Sequence, residues 1–234
     1  MKTKIALVDW DGTIASGMSL FRFVELLVTK KIIDEKVQVD LLNILHNYQN
    51  NLISYDELTE YAPRTYCEGL KYCKHSDILN LMPEFIIEEQ KYFLPHAETL
   101  FSTLKELNIC PIIISGAPAD LLVQYKEKFN IKEIHALGER FKNDIGTGNI
   151  LSNPAKLPNK EKLAKTAQNN PDFEIILSIG DSTADVPLLM AAPNNIIVNN
   201  AELTLKYPSH EHNVFNILTD DFDKTSLIEF LKCM

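Results

Sequence analysis

The sequence predicts a doubly wound α/β fold, a parallel sheet with helices on both faces, carrying a helical insert after the first strand. Three observations support this. Five short apolar runs, residues 5–8, 110–115, 134–137, 175–179 and 195–198, have the length and character of buried parallel strands. Helix-period patterns separate most of them, and strand–helix alternation is the mark of this class. The gap after the first run, the 95 residues 14–108, far exceeds the roughly 30 residues of a whole strand–helix–strand unit.

The first run is followed by Asp9-Trp10-Asp11-Gly12-Thr13. Side chains two apart on a strand share a face, so Asp9 and Asp11 leave the sheet together. Two carboxylates this close are costly unless a cation sits between them. The pair therefore predicts a hard metal ion and a nucleophilic carboxylate. Within the long gap, Phe21, Val24, Leu27 and Val28 form one helical face. Leu41, Leu42, Leu45 and Tyr48 form a second, and Ile78, Leu81, Phe85 and Ile86 a third. These faces define an expected cap domain over residues 16–93, inserted into a core of residues 1–15 and 94–234. Residues 95–107, with Leu100, Leu104 and Leu107, return to the core as an ordinary crossover helix.

The second run ends in Ser115-Gly116, and Leu121, Leu122, Tyr125 and Phe129 follow at helix spacing. Residues 138–152 carry the turn signals Asn143-Asp144 and Gly146-Thr147-Gly148-Asn149, so a small hairpin is expected there. Lys160 opens a helix whose inner face holds Leu163 and Ala164. The fourth run leads into Gly180-Asp181-Ser182, with Asp185 four residues on. In open α/β sheets, reactive groups collect at the carboxyl ends of strands, where all of these residues fall.

Composition narrows the class. The net charge of −9 and the absence of a dense basic run argue against a nucleic-acid surface. Four irregularly spaced cysteines, Cys67, Cys73, Cys110 and Cys233, make neither a disulfide framework nor a zinc site, and read as free, mostly buried thiols in a reducing cytoplasm. The first apolar stretch is too short for a signal peptide or a membrane span. His210 and His212 read as a solvated loop beside Pro208, not a metal pair. A cytoplasmic monomer or homodimer without a membrane partner is expected.

Taken together, Asp9-x-Asp11-Gly12-Thr13, Ser115-Gly116, Lys160 and Gly180-Asp181-Ser182-x-x-Asp185 resemble the motifs of the haloacid dehalogenase superfamily of aspartate-nucleophile hydrolases. The likeness covers nearly the whole chain. It is greatest to the phosphoserine-phosphatase-type branch, with its helical cap after the first strand. The resemblance implies Mg2+-dependent hydrolysis of a small phosphorylated metabolite through an aspartyl-phosphate. Asp9 is then the nucleophile, and Asp11 the general acid and base, with its main-chain carbonyl on the metal. Asp181 supplies a second metal carboxylate, and Asp185 holds a metal water or orients Lys160. Thr13, Ser115 and Gly116 bind the phosphoryl oxygens. Lys160 brings a point charge, with Lys156 as its rival, since Lys162 lies about 200° around the helix. A phosphotransferase on the same fold and a non-catalytic, receiver-type module are the alternatives.

Three departures bear on the substrate. Trp10 stands where Phe or Leu is usual in the family. Met18 occupies the place of the glutamate that binds the ammonium in phosphoserine phosphatases. Ala117-Pro118 follows Ser115-Gly116 where a second glycine is favoured. Phosphoserine is therefore disfavoured. Arg22 and Arg64 are the expected cap contacts for an anionic leaving group, because arginine takes carboxylates and phosphates with forked geometry.

Overall fold

A computed structural model describes residues 2–200, 202–203 and 212–234. Its centre is β1 (Thr3–Val8), whose Ile5, Ala6, Leu7 and Val8 are wholly buried, as a strand covered on both faces requires. β1 pairs in parallel with β2 (Cys110–Pro118) on one side and β5 (Phe173–Gly180) on the other. Val8 lies opposite both Ile113 and Ile179, so β5 ends one residue beyond the end of β1, while β2 runs on to Pro118. Beyond β2 come β3 (Glu133–Lys142) and β4 (Ile145–Ser152). Beyond β5 come β6 (Asn194–Val198) and β7 (Asn213–Ile217). The seven-stranded order is β4-β3-β2-β1-β5-β6-β7, with only β4 antiparallel to its neighbour. Strand order reverses at β1, which places a crevice beside it.

Four helices separate β1 from the crossover helix: α1 (Ser19–Thr29), α2 (Glu35–Gln49), α3 (Tyr55–Gly69) and α4 (His75–Gln90). Local signals start two of them. The Asp34 side chain accepts from the Lys36 amide, and Ser54 with Glu57 forms a reciprocal capping box at α3. The chain enters and leaves this insert through one short paired neck. Ser16 N donates to Tyr92 O at 2.8 Å, and Leu94 N donates to Ile14 O at 2.9 Å. α5 (Ala97–Glu106) then leads to β2, followed by α6 (Ala119–Gln124), α7 (Leu157–Asn169), α8 (Val186–Leu189) and α9 (Lys224–Lys232). Apolar packing is continuous from the sheet into the insert, from Ala6 and Val8 through Phe23 and Leu27 to Leu58 and Met82. No helix among the described residues is long and apolar enough to cross a membrane.

Several local expectations shift. The third strand and the hairpin are one feature, because β3 runs on through Gly138 to Lys142. Its turn is Asn143-Asp144, both with positive φ, whereas Gly146 to Asn149 lie inside β4. The helix expected over 121–129 stops at Gln124, although Tyr125 and Phe129 remain buried. On α1 the buried stripe is Leu20, Phe23, Val24 and Leu27; Phe21 and Val28 are only half-buried. On α2 only Leu41 is fully buried and Leu42 is half exposed. All four cysteines are free, but only Cys67 is buried. β7 was not expected from its sequence. His212 Nδ1 contacts the Ala192 carbonyl oxygen at 2.7 Å, while His210 and Pro208 lie outside the described residues.

Trp10 fills the space between β1 and the helices behind it. It is wholly buried, 5.2 Å from the Tyr125 ring and 5.8 Å edge-on from Phe93, and Phe129 stacks on Phe101 at 4.2 Å. The hairpin β3–β4 reaches across to the insert. Tyr72 N donates to Gly146 O, and Gly146 N donates to Cys73 O, at 3.0 and 2.9 Å.

Glu139 on β3 is buried at this junction. One carboxylate oxygen accepts from Gly148 N at 3.3 Å, and the other has no partner among the described residues. Burial pushes its carboxyl up to about 7, against the pull of the Gly148 bond and with the nearby Asp120 charge adding to it. An acid raised in the folded state stabilises fully below its unfolded value of 4.5, and that stability is lost as pH climbs through 7. Glu139→Gln is therefore expected to stabilise the protein by about 1–2 kcal/mol at pH 8 and by nothing at pH 4. Thermal unfolding at both pH values checks this; an equal shift at each would sink it.

Candidate active site

The carboxyl ends of β1, β2 and β5 and the start of α7 converge on the floor of a cavity of about 420 Å³, roofed by α1, α2 and α3. Lys160, in the first turn of α7, is 3% exposed, and its Nζ donates to Asp9 Oδ1 at 2.9 Å and to Asp185 Oδ1 at 2.5 Å. Thr13 Oγ1 lies 3.2 Å from Asp181 Oδ1 and 3.5 Å from Asp9 Oδ2, so the hydroxyl donates to this pair. Carboxylate oxygens of Asp9, Asp181 and Asp185 all fall within 4.8 Å of one another. Ser115 and Gly116, at the end of β2, line the same cavity, and Ser115 Oγ accepts from Ala117 N at 3.2 Å.

The turn after β1 is shaped by this crowding. Gly12 has φ +81°, and a Cβ there would meet Asp181 Oδ2 at 2.3 Å. Only glycine allows both the backbone angle and the approach. The Thr13 carbonyl is held from behind by His96 Nε2 at 2.8 Å. A carbonyl only accepts, so Nε2 carries the hydrogen. Burial lowers the His96 pKa and outweighs that bond, which keeps the ring neutral.

Asp11 does not join the carboxylate cluster. Its Oδ1 accepts from the Ser19 amide at 3.0 Å and the Ser19 hydroxyl at 2.7 Å, at the start of α1. The two carboxylates of the first motif thus part: Asp9 faces Lys160, and Asp11 faces the insert. Asp185 differs from the expected helical turn after Asp181. The chain bends at Ser182 into a single tight turn over Thr183–Asp185, and the carboxylate folds back. Its Oδ2 accepts from Asp181 N, Ser182 N and Ser182 Oγ at 3.2, 3.0 and 2.9 Å. With Lys160 on Oδ1, both oxygens are engaged by groups of the protein itself.

Burial dominates the electrostatics. It raises Asp9 well above the ordinary carboxylate value; Lys160 pulls it back, and the charges of Asp185 and Asp181 add to the rise. Burial and the Asp185 charge lift Asp181 to about 7. Burial also lifts Asp11 to about 6, against the Ser19 bonds. For Lys160, burial would lower the value, but the charges of Asp185 and Asp9 outweigh it and hold the lysine above its ordinary value. Three clustered carboxylates, two of them buried, thus face one cation. The surplus negative charge and the all-oxygen donor set fit a hard divalent ion.

Lys160, not Lys156, reaches the floor; Lys156 pairs with Glu60 outside it. Neither arginine is brought into the cavity. Arg22 Nε and Nη2 donate to Glu89 at 2.8 and 2.7 Å, Nη1 donates to Ser16 O at 2.8 Å, and the guanidinium lies 4.3 Å over the Tyr92 ring. Arg64 is exposed and pairs with Glu60. Sequence reasoning missed Ser19, His96 and Ser182 as supporting residues, and Tyr48 and Tyr55 as cavity walls. Only Ser182 carried a local signal, as the hydroxyl three residues before Asp185 in a capping box.

The haloacid dehalogenase-like hydrolase family matches residues 6–190. No curated protein matches in sequence. The fold is similar to that of a Bordetella pertussis Tohama I protein of unknown function, with TM-score 0.73 and 15% identity over 92% of this chain and 99% of that one. It is also similar to a phosphoserine phosphatase described as a phospho-aspartyl intermediate analogue, with TM-score 0.64 and 15% identity over 98% and 99%. A HAD family hydrolase from Salmonella enterica subsp. enterica serovar Typhi aligns with TM-score 0.66 and 16% identity over 98% of this chain and 71% of that one. At these identities the structures speak for the fold alone. The family match spans most of the chain, from the apolar lead into Asp9 to just past Asp185, and the chain belongs to the haloacid dehalogenase-like hydrolases.

Proposed function

We propose that the protein is a Mg2+-dependent phosphomonoesterase acting on a small phosphorylated metabolite through an aspartyl-phosphate on Asp9. The observation that carries this reading is the divergence of the first motif. Asp9 lies among Lys160, Thr13 and Asp181, whereas Asp11, two residues on, is held by Ser19 toward the insert. This divergence supports one carboxylate acting on the phosphorus and the other on the departing oxygen.

Asp9 attacks phosphorus, and the ester P–O bond breaks. Asp11, as the carboxylic acid, gives its proton to the leaving alkoxide. As the carboxylate, it then takes a proton from the water that attacks the aspartyl-phosphate, which frees orthophosphate and restores Asp9. Ser115 and the Gly116 amide hold phosphoryl oxygens, and Lys160 offsets their charge. Oxygens of Asp9, Asp181 and the Asp11 carbonyl would hold Mg2+, which when bound neutralises the nucleophile and phosphate together. Residues 16–93 act as a cap over the core of residues 1–15 and 94–234, hinged at the paired neck.

Phosphate release from an aryl phosphate in Mg2+ tests this. Excess chelator is expected to lower the rate at least about 100-fold, with recovery on adding Mg2+. Full activity in chelator would overturn the metal assignment, and no release in Mg2+ would overturn the phosphatase reading.

A further inference from the structure

The structure assigns a leaving-group class to this site: we propose that the ester hydrolysed is that of an uncharged, largely hydrocarbon alcohol. The inference rests on the phosphatase reading above and extends it to the substrate.

The charged groups that line the cavity all belong to its floor: Asp9, Asp11, Lys160 and Asp181. The walls above them are Met18, Phe21, Tyr48, Tyr55, Leu58 and Pro63. Among the described residues, the insert contributes no charged side chain to the cavity. The floor's one cation is already shared between two carboxylates, with Lys160 Nζ at hydrogen-bond distance from both Asp9 and Asp185. The two arginines of the insert are engaged elsewhere. Arg22 is held by two bonds to Glu89, which is wholly buried, and Arg64 shares Glu60 with Lys156.

Above the floor, a leaving group bearing a carboxylate or an ammonium meets no opposite charge from the walls. Burying such a group unpaired is strongly unfavourable. A hydrocarbon group gains instead, by roughly the transfer value of each methylene taken from water. The Thr59 hydroxyl at this wall offers no donor to a carboxylate, since it already donates to the Asp56 carbonyl at 3.1 Å. The walls include Tyr48 and Tyr55 with ring centroids 6.3 Å apart and steeply inclined, which offers two flat apolar faces. A cavity of about 420 Å³ holds a phosphoryl group and a side group of several carbons.

The test compares kcat/KM of the wild-type protein with Mg2+ across a set of esters. Acetyl phosphate reports the phosphoryl chemistry without a large leaving group. Ethyl, butyl and hexyl phosphate extend the hydrocarbon. Phosphoglycolate and O-phosphoserine carry charged leaving groups. The expected result is a rise of about fourfold per methylene from ethyl to hexyl phosphate. Both charged esters should fall at least about 100-fold below butyl phosphate. Turnover of acetyl phosphate with a flat alkyl series, or with a charged ester equal to butyl phosphate, would overturn this proposal alone. Failure to turn over any ester, acetyl phosphate included, would overturn the phosphatase reading and this proposal with it.

Discussion

Asp9→Asn is expected to lower phosphate release by about 10⁴-fold or more while the protein stays folded. A neutral amide lacks the electron-rich oxygen that attacks phosphorus, and no neighbour can take over. Asp181 and Asp185 share the cluster, but Asp185 spends both oxygens on Lys160 and on the amides of Asp181 and Ser182. Asp11 is turned toward Ser19. Stability should hold or rise in metal-free buffer, because the change removes one of three crowded carboxylates while an amide oxygen can still accept from Lys160. Single-turnover phosphate release and denaturant unfolding on the same sample check both halves. Activity near wild type would remove Asp9 as nucleophile, and a collapsed unfolding midpoint would make the loss a folding defect.

Lys160→Ala has the second-largest expected effect, and it acts on stability as well as rate. The lysine is the buried cation between Asp9 and Asp185, both themselves buried. Taking away one partner of a buried ionic cluster leaves uncompensated charge and costs about 3–5 kcal/mol. Mg2+ should narrow that deficit, since an ion that binds only the folded state stabilises it. The rate should fall by about 100-fold or more, the usual effect of losing a charge aimed at a transferring group. Lys156→Ala is the control: its pair with Glu60 is solvent-exposed, so its loss should change stability little. Equal losses for the two lysines, in unfolding experiments with and without Mg2+, would overturn the placement.

How much of this was legible in the sequence follows from the range of each interaction. The central strand and the paired aspartates announce themselves within nine residues, because apolar run, carboxylates and Gly12 are neighbours in sequence. Lys160 could be placed on a helix start, and its contact with Asp9 follows once the sheet order sets β1 beside β5. The insert was visible as surplus length. The fate of Arg22 was not, since its partner Glu89 lies 67 residues away and nothing local distinguishes a salt-bridged arginine from a free one. Asp185 was read at helical spacing, but its carboxylate competes for backbone amides and closes a tighter turn. β7 escaped because Asn213 and Asn216 interrupt its apolar residues, which an edge strand tolerates. His96 reaches the Thr13 carbonyl across 83 residues, and nothing local marks Ser19, eight residues past Asp11, as its partner.

Trp10 is the chain's single tryptophan, and it stands between Asp9 and Asp11 in sequence. Its indole is sealed from solvent, its Nε1 has no partner among the described residues, and Phe93, which flanks it, belongs to the neck where the insert joins. Intrinsic emission excited at the tryptophan band therefore arises from one position, a peptide bond away from each of the two carboxylates. A change in the packing around that position alters the surroundings of this one fluorophore, so the molecule carries its own optical reporter, readable by stopped-flow fluorescence with no label attached.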